Sequence, residues 1–255
     1  MYDLQRAGSF KRFSAFLFDF IILSILAVGF AFGISAITGF DNHLDAYQAQ
    51  LDRYETEYGV SFDITLDEYE SLKEEEKAKF DAAEKAFAAD PEVLKTLDMV
   101  FNLTLLVVTL GTFLAFIALE IVVPLIFGNG QTLGKKIFAV GVMFNNGVKI
   151  NSLGLFVRAI LGKYTIETMV PILIIIMIIF FGAGQLGLLA LGLILVFEAI
   201  LFFATKNRVL IHDTLGGTVT VDMSSQMIFD SYDEMIAYKK RVHQDAVEKA
   251  KYDFK

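Results

Sequence analysis

Asp19 lies about two helical turns into an apolar run that opens on Lys11-Arg12 and continues to Ile37. A carboxylate that deep in a bilayer-crossing helix costs roughly 3 kcal/mol on insertion scales, so it marks an ion pathway, a proton relay or a buried ion pair. Arg12 stands seven residues earlier and shares a helix face with it. Two more acids interrupt apolar runs. Glu120 comes seven residues before Phe127-Gly128, and Glu198 eight before Lys206. At 1.5 Å per residue, Asp19, Glu120 and Glu198 each fall roughly 10–12 Å inside the same membrane face. Arg12 and Arg158 are the available countercharges, with Glu167 at the mouth of a third run.

Two chemistries fit these residues. Acids gathered at one depth can form a polar site, open to the cytoplasm, for a monovalent cation, a proton or a cationic head group. Alternatively, Arg12 and Arg158 neutralise the acids and lock the helices together. His212-Asp213 adds a polar pair after the last apolar run. With three His, no Cys, no nucleophile elbow and no HExxH helix, it makes no catalytic or metal set. The expected role of Asp213 is a clasp that accepts hydrogen bonds from Arg12, Arg158 or backbone amides. Gly128 to Lys136 superficially resembles a phosphate-binding loop but lacks the six-residue frame. No enzyme activity, cofactor, metal or nucleic-acid partner is expected.

The elements that position these residues follow from composition. Of 255 residues, 55% are hydrophobic, 25 are Phe and only three are Pro. A run of roughly 20 apolar residues crosses the hydrocarbon core. Phe13 to Ile37, Met99 to Phe127, Ile166 to Phe181 and Leu186 to Ala204 fit that length or approach it, the last two as a tight hairpin around Gly182 to Gln185. The first run is too long for a signal-peptide core and has no clear cleavage site after it.

Charge then orients the helices. Residues 41–98 hold 17 acidic against 6 basic side chains, a net −11 in a chain of −8, which leaves +3 elsewhere. Basic residues in the short flanking segments set orientation, and those segments (Arg6, Lys11, Arg12; Lys135, Lys136, Lys149, Arg158, Lys163; Lys206, Arg208) fall on one side of a four-helix path. Both termini are therefore expected in the cytoplasm and the acidic segment outside. The expected fold is mainly α: a multi-pass membrane protein with about four transmembrane helices, an extracytoplasmic helical insertion and a small cytoplasmic β-hairpin.

Within the insertion, Thr65-Leu-Asp-Glu68 is a capping box, and Asp90-Pro91 reads as an N-cap with a first-turn proline. His43 to Tyr58 is expected as a helix continuing the first span. Lys136 to Asn151 reads as a hairpin around Asn146-Gly147, and Thr218 to Val221 is expected to run extended against it around Val140. Ser152 to Lys163 reads as an amphipathic helix along the inner surface. Residues 1–40 carry the first span, 41–98 the insertion, 99–222 the remaining core, and 223–255 a soluble helical tail.

Lys11-Arg-Phe-Ser-Ala-Phe-Leu-Phe-Asp19, Gly130-Gln-Thr-Leu-Gly-Lys-Lys136, Leu155-Phe-Val-Arg158 and Arg208-Val-Leu-Ile-His-Asp213-Thr-Leu-Gly-Gly-Thr-Val219, in that order, resemble the RDD family of membrane proteins. The family is named for an Arg and two Asp, which the resemblance puts at Arg12, Asp19 and Asp213. It implies a bacterial inner-membrane protein. Some members are linked to sodium/proton antiport, which suits buried acids at Asp19, Glu120 and Glu198. Four spans are few for a transporter, so transport implies a homo-oligomer. The other reading is a non-transporting scaffold that recruits a partner.

Overall fold

A computed structural model describes residues 4–205 and 208–253. Four helices are long and apolar enough to cross a membrane: Ser9–Thr38, Pro91–Phe127, Ser152–Phe181 and Gly184–Ala204. They are the first to fourth spans below. Around them the chain divides into two compact units, residues 28–112 and residues 1–27 with 113–255.

The 28–112 unit carries the acidic insertion. Gly39 and Gly59 take left-handed φ of 66° and 65° at the two ends of the Phe40–Tyr58 helix. Thr65 accepts from the Glu68 amide, and Glu68 answers to the Thr65 amide, so the capping box opens the Leu66–Ser71 helix as its spacing requires. The Asp90 carboxylate accepts from the Glu92 amide at 2.8 Å and starts the Pro91 helix. A core of aromatic rings gives this unit its own apolar interior. Phe87 packs against Tyr47, Tyr54 and Phe62, and Phe62 against Phe80. The acidic side chains lie on the outside of that core, as solvated groups do.

In the other unit, β1 (Val140–Phe144) pairs antiparallel with β2 (Thr218–Asp222), Val140 opposite Asp222 and Phe144 opposite Thr218. Pairing against the closing motif had been expected around Val140. The hairpin, by contrast, is only a tight turn at Asn146-Gly147 with a single bridge, Met143 to Lys149. β2 supplies the longer, alternating partner, and Val140, Val142, Met143, Val219 and Val221 are all buried in consequence. Residues near the amino terminus extend this sheet. Asp222 donates its amide to Gln5, and Lys11 forms a 2.7 Å ion pair with Asp222.

The third span corrects one expectation. Ser152 to Lys163 does not lie separately along the surface but runs on to Phe181 as one 30-residue helix. Its middle, Val157–Met169, is wound as a π-helix, as is Ile117–Val122 in the second span. These wide turns hold Glu120, Arg158, Lys163 and Glu167. π-turns inside α-helices are frequent at functional sites because they re-aim side chains.

Candidate functional site

Asp213 has no solvent exposure and sits in the short Ile211–Gly216 helix. Its Oδ1 accepts from Arg158 Nε at 3.0 Å, is 2.9 Å from an Arg158 Nη, and accepts from Thr218 Oγ1 at 3.1 Å. Arg12 Nη2 approaches Oδ2 at 3.8 Å, and His212 Nε2 at 3.7 Å. Gly162 makes this proximity possible. A Cβ there would stand 2.5 Å from His212 Cα, so the third span and the Asp213 helix meet backbone to backbone. Burial alone would push the Asp213 carboxyl up. Arg158, with His212 and Arg12, overrides burial and holds it well below the usual carboxylate range.

Arg12 completes a tie between chain ends. It donates to the Arg208 carbonyl at 2.8 Å and lies over the Phe202 ring at 5.5 Å, a cation–π contact. Arg208 donates to Ser9 Oγ and stacks on the same ring. Arg12 therefore pairs with Asp213, and the expected Arg12–Asp19 ion pair does not form.

Asp19 has a different task. Its Oδ1 accepts from the Gly134 amide at 2.7 Å and its Oδ2 from the Thr132 hydroxyl. These groups open the Leu133–Ile137 helix: Thr132 caps the Lys135 amide, and Asp19 takes the Gly134 amide, which has no partner inside so short a helix. A Cβ on Gly134 would lie 2.4 Å from the Ala15 carbonyl, so only glycine lets the first span approach this turn. Asp19 is a cap supplied from more than a hundred residues away.

Glu120 is enclosed by two lysines. Lys163 bonds its Oε1, and Lys135 Nζ lies 3.6 Å from its Oε2. Burial pushes Lys135 down to about 7, although Glu120 pulls the other way. Sequence reasoning placed Lys135 and Lys163 among the orienting loop charges and missed this role. The available signal was the spacing Arg158, Lys163, Glu167, which puts all three on one face of a π-wound helix.

The Glu167 carboxylate accepts from the His212 amide at 2.8 Å and lies 2.7 Å from His212 Nδ1. Burial and Arg158 push the imidazole below its ordinary value, against Asp213 and Glu167. Neutral His212 thus carries its proton on Nδ1, facing the carboxylate. Beside this pair stands Glu198. Both of its carboxylate oxygens are buried and, among the described residues, in no ion pair; the Ile211 backbone amide and the Glu167 carboxyl stand beside them. Its charged neighbours are themselves acids, Glu167 and Asp213.

The structure thus separates the three acids that depth alone had grouped. Asp19 is satisfied by N–H and O–H donors and Glu120 by cations, whereas Glu198 is in no ion pair among the described residues. Around Asp213 stand the guanidinium groups of Arg12 and Arg158, and Lys163 acts on Glu167 as well as on Glu120, whereas the charged neighbours of Glu198 are the acids Glu167 and Asp213. Among the described residues no group of three or more His, Asp or Glu is placed to hold a metal ion.

The RDD family model matches residues 6–217, from Arg6 through the Asp213 helix. The chain belongs to the RDD family. No curated protein and no solved structure matches it. Its three signature residues now have distinct partners: Arg12 and Asp213 meet each other, and Asp19 caps the Leu133–Ile137 helix. Family membership and four apolar helices make this RDD chain an integral membrane protein.

Proposed function

We propose that this RDD protein exchanges protons for monovalent cations across a bacterial inner membrane, with Glu198 as the exchanging carboxylate. The observation that carries the reading is the Glu198 carboxylate, its oxygens buried beside the acids Glu167 and Asp213 and, among the described residues, in no ion pair. Neighbouring carboxylates repel in a low dielectric, and a shared proton or a cation relieves the repulsion. His212 and Glu167 continue the line of exchangeable groups from Glu198 toward Asp213. Asp19 and Glu120, already satisfied, hold the scaffold. A four-span chain acts here as part of a homo-oligomer, with both termini in the cytoplasm. The protein has no cysteine, so single cysteines report that topology directly: one at Glu75 labels in intact cells and one at Asn146 does not.

The functional test is proton flux in liposomes containing the purified protein. Adding Na⁺ or K⁺ outside acid-loaded vesicles should drive proton efflux, and Glu198→Gln should abolish it while the protein stays monodisperse. Efflux that is absent in the parent, or unchanged in Glu198→Gln, sinks the exchange reading and leaves the non-transporting scaffold.

A further inference from the structure

We infer that Lys135 is a proton-operated switch: with a proton it claims the Glu120 carboxylate and releases Lys163 toward Glu167, the acid beside Glu198. The shift of charge stands by itself, and only its consequence at Glu198 rests on the exchange reading.

Two lysines are aimed at one carboxylate. Lys163, on the third span, bonds Glu120 Oε1, while Lys135 Nζ stands 3.6 Å from Oε2. That gap is within reach of an ion pair and beyond a hydrogen bond. Among the described residues, Lys135 Nζ is buried without a hydrogen-bond partner. An ammonium left without acceptors in such a place is expensive, and a neutral amine far less so. Of the charged groups that act on Lys135, Glu120 and Asp19 favour its charge, and Lys163 and Arg158 oppose it. Asp19 is committed to Thr132 and Gly134, and Arg158 to Asp213. Burial, against the pull of Glu120, brings the amine to about 7, so it takes and gives its proton near neutral pH.

A proton changes what Lys135 requires of Glu120. A charge-assisted bond draws Nζ in from 3.6 Å to about 2.8 Å, and two like charges then share one carboxylate. Lys163 is the one with somewhere else to go. It already acts on Glu167 as well as on Glu120, and both Lys163 and Glu167 lie in the same π-wound stretch. An ammonium drawn to Glu167 competes with a proton or cation at the neighbouring Glu198, because like charges repel strongly in a low dielectric. Protonated Lys135 therefore opposes exchange and neutral Lys135 permits it. The only chemical step is one proton moving between solvent and Nζ.

The test uses the full chain, purified in detergent, with its lysines labelled with carbon-13 at Cε, where the NMR shift reports amine charge. Lys135→Met and Lys163→Met assign the two signals. The Lys135 signal should titrate with a midpoint of about 7. The Lys163 signal should move with the same midpoint, a movement lost in Lys135→Met. In liposomes with equal pH on both faces and a Na⁺ or K⁺ gradient, exchange relative to Lys135→Met should fall up to about tenfold per pH unit below that midpoint, as one proton requires. Lys135→Arg, charged at every working pH, should hold exchange low even at about pH 8. A Lys135 signal that stays charged to about pH 9, or a Lys163 signal that ignores it, overturns the switch. So does parent exchange with the same pH dependence as Lys135→Met. Coupled titration in a parent that exchanges nothing upholds the shift of charge and removes the exchange reading instead.

Discussion

Asp213→Asn keeps the outline of the side chain and removes the charge on which two guanidinium groups converge. Asn can still accept from Arg158, whose Nε now lies 3.0 Å from Oδ1. Its amide nitrogen, however, must replace Oδ2, which faces the Arg12 guanidinium at 3.8 Å. Donor then meets donor, and Arg158, only 3% exposed, keeps its charge without an anion. Removing one partner of a buried ion pair costs about 3–5 kcal/mol. At about 2–4 °C per kcal/mol for a chain of this size, Tm should fall by about 6–20 °C. Thermal scans of detergent-solubilised protein at neutral pH, read by size-exclusion recovery, measure the loss. The double change Arg158→Met with Asp213→Leu removes both charges and fills the space with apolar groups. It should melt above Asp213→Asn, because an apolar replacement of a buried pair is often neutral or better. Arg12 retains the Arg208 carbonyl and Phe202 in that variant. The sign with pH is also fixed. A carboxyl held below its ordinary value contributes stability above the unfolded pKa and loses it only as pH falls toward the folded one. The deficit of Asp213→Asn should therefore persist from pH 8 to pH 5. A Tm within about 2 °C of the parent, or a double variant less stable than the single, would refute the clasp.

Arg12 and Asp19 share no partner, so Arg12→Gln and Asp19→Asn should destabilise additively within about 0.5 kcal/mol; rescue in the double variant would restore the direct pair. Gly134→Ala and Gly162→Ala should each cost about 1–3 kcal/mol through overpacking, because the new methyl meets backbone or Cβ atoms at 2.4–2.5 Å, whereas Gly33→Ala, with nothing within 4 Å, should be neutral. Equal melting of all three would remove the close-approach argument. Lys135 stands at about 7 in the fold against an ordinary 10.5, so its neutral form is favoured on folding. Stability from this group is complete above 10.5 and is lost as pH falls to 7. The parent should gain Tm between pH 7 and 9.5, and Lys135→Met, which leaves Glu120 bonded to Lys163, should flatten that gain. An unchanged slope would assign it elsewhere.

Local chemistry makes much of this chain legible from its residues alone. Four apolar runs, the Thr65–Glu68 box and the Asp90-Pro91 start are each decided within one helix, where neighbouring residues supply the partners. The ordered signature motifs gave the family, and the closing strand was placed against Val140 correctly. What sequence could not decide was which charge answers which. A shared helix face puts Arg12 and Asp19 on one side of the first span, but does not say that Asp213 and Gly134 arrive there from other segments. The same blindness split the third span at Lys163. The clasp of Arg158 on Asp213, 55 residues later, is legible from the motifs, but the continuation of Ser152 to Lys163 into the third span is not. Depth along a helix is a property of the sequence. Whether an acid at that depth finds a cation, a helix N-terminus or, as Glu198 does, other acids, depends on packing between segments far apart in the chain, and only the tertiary structure decides it.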